Sequence, residues 1–190
     1  MKPGRIIRYL GAGLVLGALA GIIPAAAWQR TSDDFFEMVL LGVTGAVLAG
    51  AGGVAAGSAR RAFLDAVVGL VLAGPGLFFG LGLLWNSFGQ GQSSRAFCLV
   101  LYTVAASAVL TVSHTWNDPR RVALPAACFA CIASVGALAL IASFFSEAHL
   151  VSSLVASGAV WGGLFWTGLA VARSIFGVNI DAFRVNRGEK

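Results

Sequence analysis

Six long apolar stretches constrain the fold of this chain more than any other feature of its sequence. Each stretch has 18 to 24 residues, is continuous, and is bounded by charged or turn-forming residues. A helix needs about 20 residues to cross roughly 30 Å of hydrocarbon, whereas a membrane β-barrel needs alternating strands of about ten residues. The sequence therefore predicts an all-α integral membrane protein with six transmembrane helices. The predicted spans are about Ile6–Trp28, Phe35–Gly57, Ala62–Trp85, Ala96–Ser113, Val122–Phe145 and Leu150–Ala172.

The scarcity of charged residues excludes several other classes of protein. Hydrophobic residues make up 58% of the 190 residues and charged residues only 11%, against about 25% charged residues in a soluble domain. Such a chain could not cover its own core with polar surface, which excludes a soluble enzyme, a disordered tail and a disulfide-stapled secreted module. The net charge is +5, but the sequence contains no basic stripe with interleaved aromatic residues, which is the pattern that would indicate a nucleic-acid partner. We therefore expect the lipid bilayer, and no nucleic acid, as a partner of this chain.

The positions of lysine and arginine predict the orientation in the membrane. If the N-terminus is inside, 11 of the 13 basic residues fall on the inner face, and only Arg30 and Arg95 fall on the outer face. The positive-inside bias is strongest for short loops of this kind. We therefore predict a multi-pass protein of the inner membrane with both termini in the cytoplasm, a six-span bundle at residues 1–173 and a cytoplasmic interfacial tail at residues 174–190. The inner basic residues are Lys2, Arg5, Arg8, Arg60, Arg61, Arg120, Arg121, Arg173, Arg184, Arg187 and Lys190.

The N-terminal stretch has an alternative interpretation as a signal peptide. Basic residues precede an apolar run that ends near Ala25, Ala26 and Ala27, which is typical of a small-residue cleavage site. However, the apolar run from Tyr9 to Trp28 has 20 residues and is longer than a usual signal-peptide core. We therefore expect this stretch to be retained as the first span.

Two sequence similarities indicate a repeated helical hairpin. Residues 58–64 and 118–124 lie 60 residues apart, contain an Arg-Arg pair each, and open a pair of spans each. Residues 13–16 and residues 69–72 both read Gly-Leu-Val-Leu. These similarities predict three hairpins of roughly 57 to 60 residues that share one orientation. Chance similarity between spans rich in glycine, leucine and valine is the alternative.

Small residues recur at every fourth position in the first two spans. Residues four apart lie on one side of a helix, so these positions form grooves with almost no side chain, and close backbone approach is a major source of packing energy in lipid. The grooves are expected either to pack the protein's own first three helices or to receive a helix from another chain. The helix-packing positions are Gly13, Gly17 and Gly21 in the first span and Gly45, Ala49, Gly53 and Gly57 in the second, with Gly42, Ala46 and Gly50 on an adjacent face.

A second set of residues forms a candidate lining for a solute path. Pro75, between Gly74 and Gly76, predicts a kink, a hinge or a broken helix in the third span. Trp161 lies near the centre of the last span, where its indole N–H needs a hydrogen-bond acceptor from the bundle. The candidate lining residues, which include three possible acceptors, are Gly74, Pro75, Thr103, Ser107, Ser157 and Trp161.

The ionisable residues do not predict a catalytic or metal site. Asp65 lies near the inner end of the third span, four residues after Arg61, which predicts an ion pair on one helix face. Glu37 lies near the outer end of the second span, so these two carboxylates cannot form one site. His114 and His149 fall on opposite membrane faces, which excludes a haem or metal held by both histidines within one chain. We therefore expect no catalytic residues, no metal and no cofactor.

The three cysteines are expected to behave as small apolar residues. Cys128 and Cys131 have the CxxC spacing of redox motifs, but they lie inside an apolar stretch instead of at a helix start near a sheet. Cys98 lies in a different span. Free cysteine is among the most buried residue types, so we expect these thiols to be buried and without redox function.

These observations favour a non-enzymatic protein that serves as a helix-packing, interaction subunit of a larger membrane assembly, with other membrane subunits or copies of itself as partners. The alternative is a small permease or channel component, a membrane subunit that binds a weakly polar solute. An enzyme is the least expected class, because no acid, base and nucleophile lie at one depth and no nucleotide-binding, zinc-protease or serine-hydrolase motif is present.

Overall fold

The computed structural model describes residues 3–27, 34–88, 92–114, 127–128, 130–137, 139 and 149–175. Within these residues the chain is helical apart from the turn at residues 56–58, which confirms the predicted all-α class. A π-helical turn at Leu72–Gly76 joins α3 to α4 without a break. The helices are α1 (Pro3–Ala27), α2 (Asp34–Ala55), α3 (Ala59–Val71), α4 (Leu77–Phe88), α5 (Gln92–His114) and α6 (Leu150–Ile175).

Four helical segments are long and apolar enough to cross a membrane, and they match the predicted first, second, third and sixth spans. In α5 only Val100–Val112 forms an apolar helix, which is shorter than a usual span. The predicted fifth span, at residues 122–145, lies mostly outside the described residues, and its described positions are helical. Helix α6 continues to Ile175, beyond the predicted start of the tail at residue 174. The four segments are Gly4–Ala26, Met38–Ala55, Ala59–Phe88 and Val151–Ala172.

A tight turn joins α2 to α3. Gly57 has a φ of +70°, and its N–H donates to the Val54 carbonyl while the N–H of Ser58 donates to the Gly53 carbonyl. This is the Schellman arrangement, which favours glycine at the left-handed position. Ser58 then caps α3, because its Oγ accepts a hydrogen bond from the Arg61 N–H at 3.3 Å. The turn therefore reverses the chain within three residues.

The first and last described helices pack against each other in opposite directions. Gly13 lies against Gly162, Gly17 against Gly158, and Gly21 against Leu154, so the contacted residue number falls as the number on α1 rises. The N-terminus of α1 and the C-terminus of α6 therefore lie at the same end of this helix pair. Helices α2 and α3 also run antiparallel, since Gly45 lies against Gly69 and Gly53 lies against Ala62.

The core lies between α1, α2 and α6. Large buried side chains come from α1, α5 and α6, while α2 contributes alanines, which lets the helices approach closely. Residues 130–137 add Ala130 to this core. The core residues include Tyr9, Ala49, Ala51, Ala55, Leu110, Phe165, Trp166 and Leu169.

Candidate functional site

The glycines of the first span form a backbone-to-backbone contact with α6. A Cβ atom added at Gly13, Gly17 or Gly21 would lie 2.7 to 2.8 Å from a carbonyl carbon of α6, closer than real Cβ contacts ever come. An added Cβ at Gly158 or Gly162 of α6 would likewise collide with backbone atoms of α1. This contact therefore requires glycine on both helices. The sequence indicated the groove on α1 but missed its partner, although Gly158 and Gly162 also lie four residues apart.

The glycines of α2 pack against α3. A Cβ atom at Gly69 would lie 2.7 Å from the carbonyl carbon of Gly45 and 2.5 Å from the Cβ of Ala49, and one at Gly53 would lie 2.6 Å from the carbonyl carbon of Arg61. The adjacent face also meets α3, since Gly42 lies near Gly74 and Leu70, and Gly50 lies near Ala62 and Ala66. Both grooves are thus occupied by helices of the same chain.

Gly57 does not belong to the packing groove, contrary to the prediction. A Cβ atom at this position would meet nothing within 4 Å. Helix α2 ends at Ala55, and the chain needs a left-handed residue at position 57 to turn back into α3. The four-residue spacing from Gly53 reflects this turn and not a fourth helical contact.

Among the described residues, Trp166 is the largest fully buried side chain, and no pattern in the sequence indicated it. Its indole N–H donates to the Leu48 carbonyl in the middle of α2, with an Nε1–O distance of 2.9 Å. The ring lies on Gly52, where an added Cβ would come 2.9 Å from Cε3. Phe165 packs on Trp166 edge to face, with ring centroids 4.9 Å apart. Gly52 gave no sequence signal, because it lies outside both four-residue series of α2.

Trp161 lies against the core but does not have the predicted hydrogen bonds. Its ring stacks on Phe165 with centroids 5.0 Å apart, and its buried Nε1 has no acceptor among the residues that the structure describes. Ser157 donates instead to the Ala137 carbonyl at 3.0 Å, which ties α6 to residues 130–137. The nearby Gly158 provides room for α1, not for this indole.

The π-helical turn surrounds Pro75 and is covered by α5. Proline has no N–H, so it removes one backbone donor from this turn. The hydroxyl of Tyr102 donates to the Leu72 carbonyl at the start of the turn. The Tyr102 ring lies on Gly76 and Gly80, where an added Cβ would come 2.5 Å from its hydroxyl oxygen and 2.8 Å from its Cε2. Gly76 and Gly80 therefore admit a tyrosine that supplies a donor from the neighbouring helix.

The candidate lining residues are distributed over different helices. Gly74 is buried against α2, and Pro75 lies in the π-helical turn. Thr103 and Ser107 are on α5, which contacts α3 and α4. Ser157 and Trp161 lie on α6, which packs on α1 and α2.

The predicted ion pair of Asp65 and Arg61 is confirmed. The distance between Arg61 Nε and Asp65 Oδ1 is 3.5 Å. The Asp65 side chain is only 2% exposed and that of Arg61 is 25% exposed. Asp65 lies on α3 between Ala62, which contacts Gly53, and Gly69, which contacts Gly45. The glycines of α2 therefore let the helix carrying this carboxylate approach closely.

The cysteines differ from the expectation of burial at two of three positions. Cys98 is buried, whereas Cys128 and Cys131 are exposed. Mean hydropathy reports that a segment is apolar but cannot distinguish a face toward lipid from a face toward protein, because both are apolar. The stretch containing the CxxC pair thus presents both thiols outward.

The remaining chemistry of the described residues is limited. No group of three or more histidine, cysteine or acidic residues able to hold a metal ion occurs in this part of the chain. Glu37 belongs to the first turns of α2, and His149 precedes α6.

Comparison with known protein families, with curated proteins and with solved structures found no match to this chain. The described residues form a close-packed helical bundle that holds the ion pair of Arg61 and Asp65.

Proposed function

We propose that this chain is a non-enzymatic, six-span protein of the inner membrane that serves as a structural subunit of a larger membrane assembly. Both termini would lie in the cytoplasm. The antiparallel contact of α1 with α6 supports an even number of spans, because it brings the two ends of the bundle to one side. The charge asymmetry of 11 to 2 basic residues then favours the cytoplasmic side for both ends.

The glycine contacts support the three-hairpin repeat as part of this proposal. Gly13 and Gly69 are the first residues of the two Gly-Leu-Val-Leu sequences. Gly13 contacts Gly162 on α6, and Gly69 contacts Gly45 on α2. Each contact joins the first helix of one hairpin to the second helix of the hairpin before it. The three hairpins would thus follow one another in a ring, in which the third hairpin comes before the first. The repeat would then place the fifth span against α5.

Buried residues on α5 and in the predicted fifth span are consistent with this third contact. Both segments carry small or hydroxyl side chains that are at most 4% exposed. Small residues of this kind allow close helix packing in lipid. They are Ser107 and Thr111 on α5, and Ala130, Ala133 and Ser134 on the other segment.

The filled interior at Trp166 is the single observation that most favours a structural subunit over a permease. Its indole is fully buried between α6 and α2 and is fixed by the bond to the Leu48 carbonyl. The glycine contacts hold α1 against α6, and α2 against α3, at backbone distance. Helices in such contact cannot separate without losing packing energy. We therefore expect a rigid bundle that presents its outer faces to partners.

The long helix from α3 through α4 offers the surface most available to a partner. The apolar window of Ala59–Phe88 is 12% buried, whereas those of Met38–Ala55 and Val151–Ala172 are each 44% buried. Phe63, Phe79 and Leu83 are 63% to 70% exposed on this helix. A partner helix would cover them, while the glycine grooves are already occupied within the chain.

A photo-crosslinking experiment tests the proposed subunit role. Benzoylphenylalanine at Phe79, which is 63% exposed, should form an adduct with a second membrane protein in cells. The same residue at Val15 of α1, which is 60% exposed, is the matched control and should label lipid. Labelling of lipid alone at both positions would contradict the proposal that α4 contacts a subunit.

The predicted topology can be tested by labelling single cysteines in a cysteine-free chain. Cysteines placed at Ser32, Gln90 and Ala148 should react in intact cells with a thiol reagent that does not cross membranes, because these positions lie in the predicted outer loops. A cysteine at Asn117 should react only after the membrane is opened. Reaction of Asn117 in intact cells would show that the orientation is inverted or the span count is wrong.

A small permease or channel component for a weakly polar solute is the second candidate. It is favoured by the buried N–H of Trp161, which has no acceptor among the described residues, since a solute oxygen could accept this bond. The π-helical turn at Pro75 also favours it, because π-bulges are frequent at functional sites. Lipid-only labelling at Phe79 would leave this candidate as the better one.

A further inference from the structure

Cys128 and Cys131 are the two exposed thiols of the described chain, and they share one helix face. Residues 127–128 and 130–137 are helical, and both side chains are exposed, whereas Cys98 is buried. Residues three apart in a helix are neighbours, with Cβ atoms about 5–6 Å apart. Two thiols at this spacing can bind one ligand together after small rotations about χ1.

We propose that Cys128 and Cys131 form a two-thiol binding site for a soft divalent cation that accepts two sulfur ligands. Soft thiolate ligands select soft metal ions. With metal–sulfur bonds near 2.3 Å, a bridged pair of sulfurs lies about 4.6 Å apart, which the neighbouring side chains can reach. The site is independent of whether the chain is a subunit or a permease.

The number of ligands restricts the cation. Zinc in structural sites takes four protein ligands, and no group of three or more histidine, cysteine or acidic residues that could hold a metal occurs in the described segments. The helix that carries the pair is apolar, so water and carboxylates are scarce around it. A cation that is stable with two sulfur ligands, such as Hg²⁺, therefore suits the pair, whereas Zn²⁺ does not.

The charge of the complex also favours a divalent cation. The predicted fifth span places Cys128 about 9 Å and Cys131 about 14 Å from its inner end by helical rise, within the hydrocarbon. A net charge there is costly. On binding, each S–H loses its proton to the solvent and each sulfur forms one bond to the metal, so two thiolates neutralise one divalent ion. A monovalent ion would leave a net negative charge.

Competition for bound Hg²⁺ tests this site in the full-length protein. In a Cys98→Ala chain in mild detergent, one equivalent of Hg²⁺ should protect both remaining thiols from N-ethylmaleimide, as measured by mass spectrometry. A competing monothiol such as 2-mercaptoethanol should remove the metal only at high concentration. The further variants Cys128→Ala or Cys131→Ala should release it at a roughly 100-fold lower concentration, because the second thiol acts at high effective concentration.

A spaced pair of thiols provides the matched control. Val135 is 57% exposed, and the change Cys131→Ala with Val135→Cys keeps two exposed thiols but separates them by about 10 Å of helical rise. This variant should release Hg²⁺ as easily as a single thiol. Equal retention by the spaced and native pairs would overturn the proposal, as would protection of only one thiol per Hg²⁺ in the native pair. Because the side chains of Cys128, Cys131 and Val135 are exposed, exchanging them should leave the melting temperature of the Cys98→Ala chain unchanged.

Discussion

Replacing Gly17 with leucine should separate α1 from α6 and strongly destabilise the bundle. An added Cβ would lie 2.8 Å from the carbonyl carbon of Gly158 and 3.1 Å from the Cα of Ala159. Backbone atoms cannot rotate away as a side chain can, so the helices must move apart. Overpacking typically costs about 1–3 kcal/mol, and we expect the upper part of this range. The melting temperature of the purified protein in detergent measures the loss.

Gly11→Leu is the matched control for this change. It lies on the same helix, and a Cβ atom there meets nothing within 4 Å. Both substitutions exchange glycine for the same side chain and gain similar helix propensity, so their difference isolates the contact with α6. Gly53→Leu should resemble Gly17→Leu, because it meets the backbone of Arg61 and Ala62. Equal stability of the Gly17 and Gly11 variants would show that α1 does not pack on α6 through this face.

The spacing of small residues predicted which helix faces would pack, but not what they would pack against. Four-residue periodicity is a property of one helix, and it identifies the face of Gly13, Gly17 and Gly21 without reference to any partner. The partner glycines on α6 are more than 130 residues away in the sequence. Pairing distant helices depends on the three-dimensional arrangement of all spans, which hydropathy does not specify.

The same limit explains why Trp161 was selected and Trp166 was missed. Depth in the membrane follows from helical rise, and it indicated the tryptophan closer to the bilayer centre. Burial depends on which face of α6 meets the bundle interior, and residues five apart point in directions about 140° apart at 3.6 residues per turn. Hydropathy does not distinguish these faces in an apolar helix. For the same reason it did not predict the exposure of Cys128 and Cys131.

Trp166→Ala is expected to be the most destabilising change in the core. The indole is fully buried, and removal of a buried tryptophan typically costs about 3–5 kcal/mol through lost contacts and the remaining cavity. Trp166→Phe keeps most of the ring contact but loses the N–H bond to the Leu48 carbonyl, so it should cost about 0.5–1.5 kcal/mol. Trp161→Phe should cost less than Trp166→Phe, since its N–H has no acceptor in the described part of the chain. Denaturant titration in mixed micelles measures these differences.

A double-mutant cycle with Gly52 separates the Trp166 contact from a general loss of packing. In the native chain, Gly52→Ala places a methyl group 2.9 Å from Cε3 of the indole, and this should destabilise the bundle. In the Trp166→Ala background the space is open, so the same methyl group should cost little. We expect a coupling free energy of about 0.5–3 kcal/mol between the two positions, as is typical of residues in contact. The same cycle with Trp161→Ala should show much weaker coupling, because the atoms nearest to a Cβ at Gly52 all belong to Trp166, whereas the ring of Trp161 stacks on Phe165. If Gly52→Ala has the same cost in the native and Trp166→Ala backgrounds, then Trp166 does not fill the space between α6 and α2, and the bundle interior must be packed by other side chains.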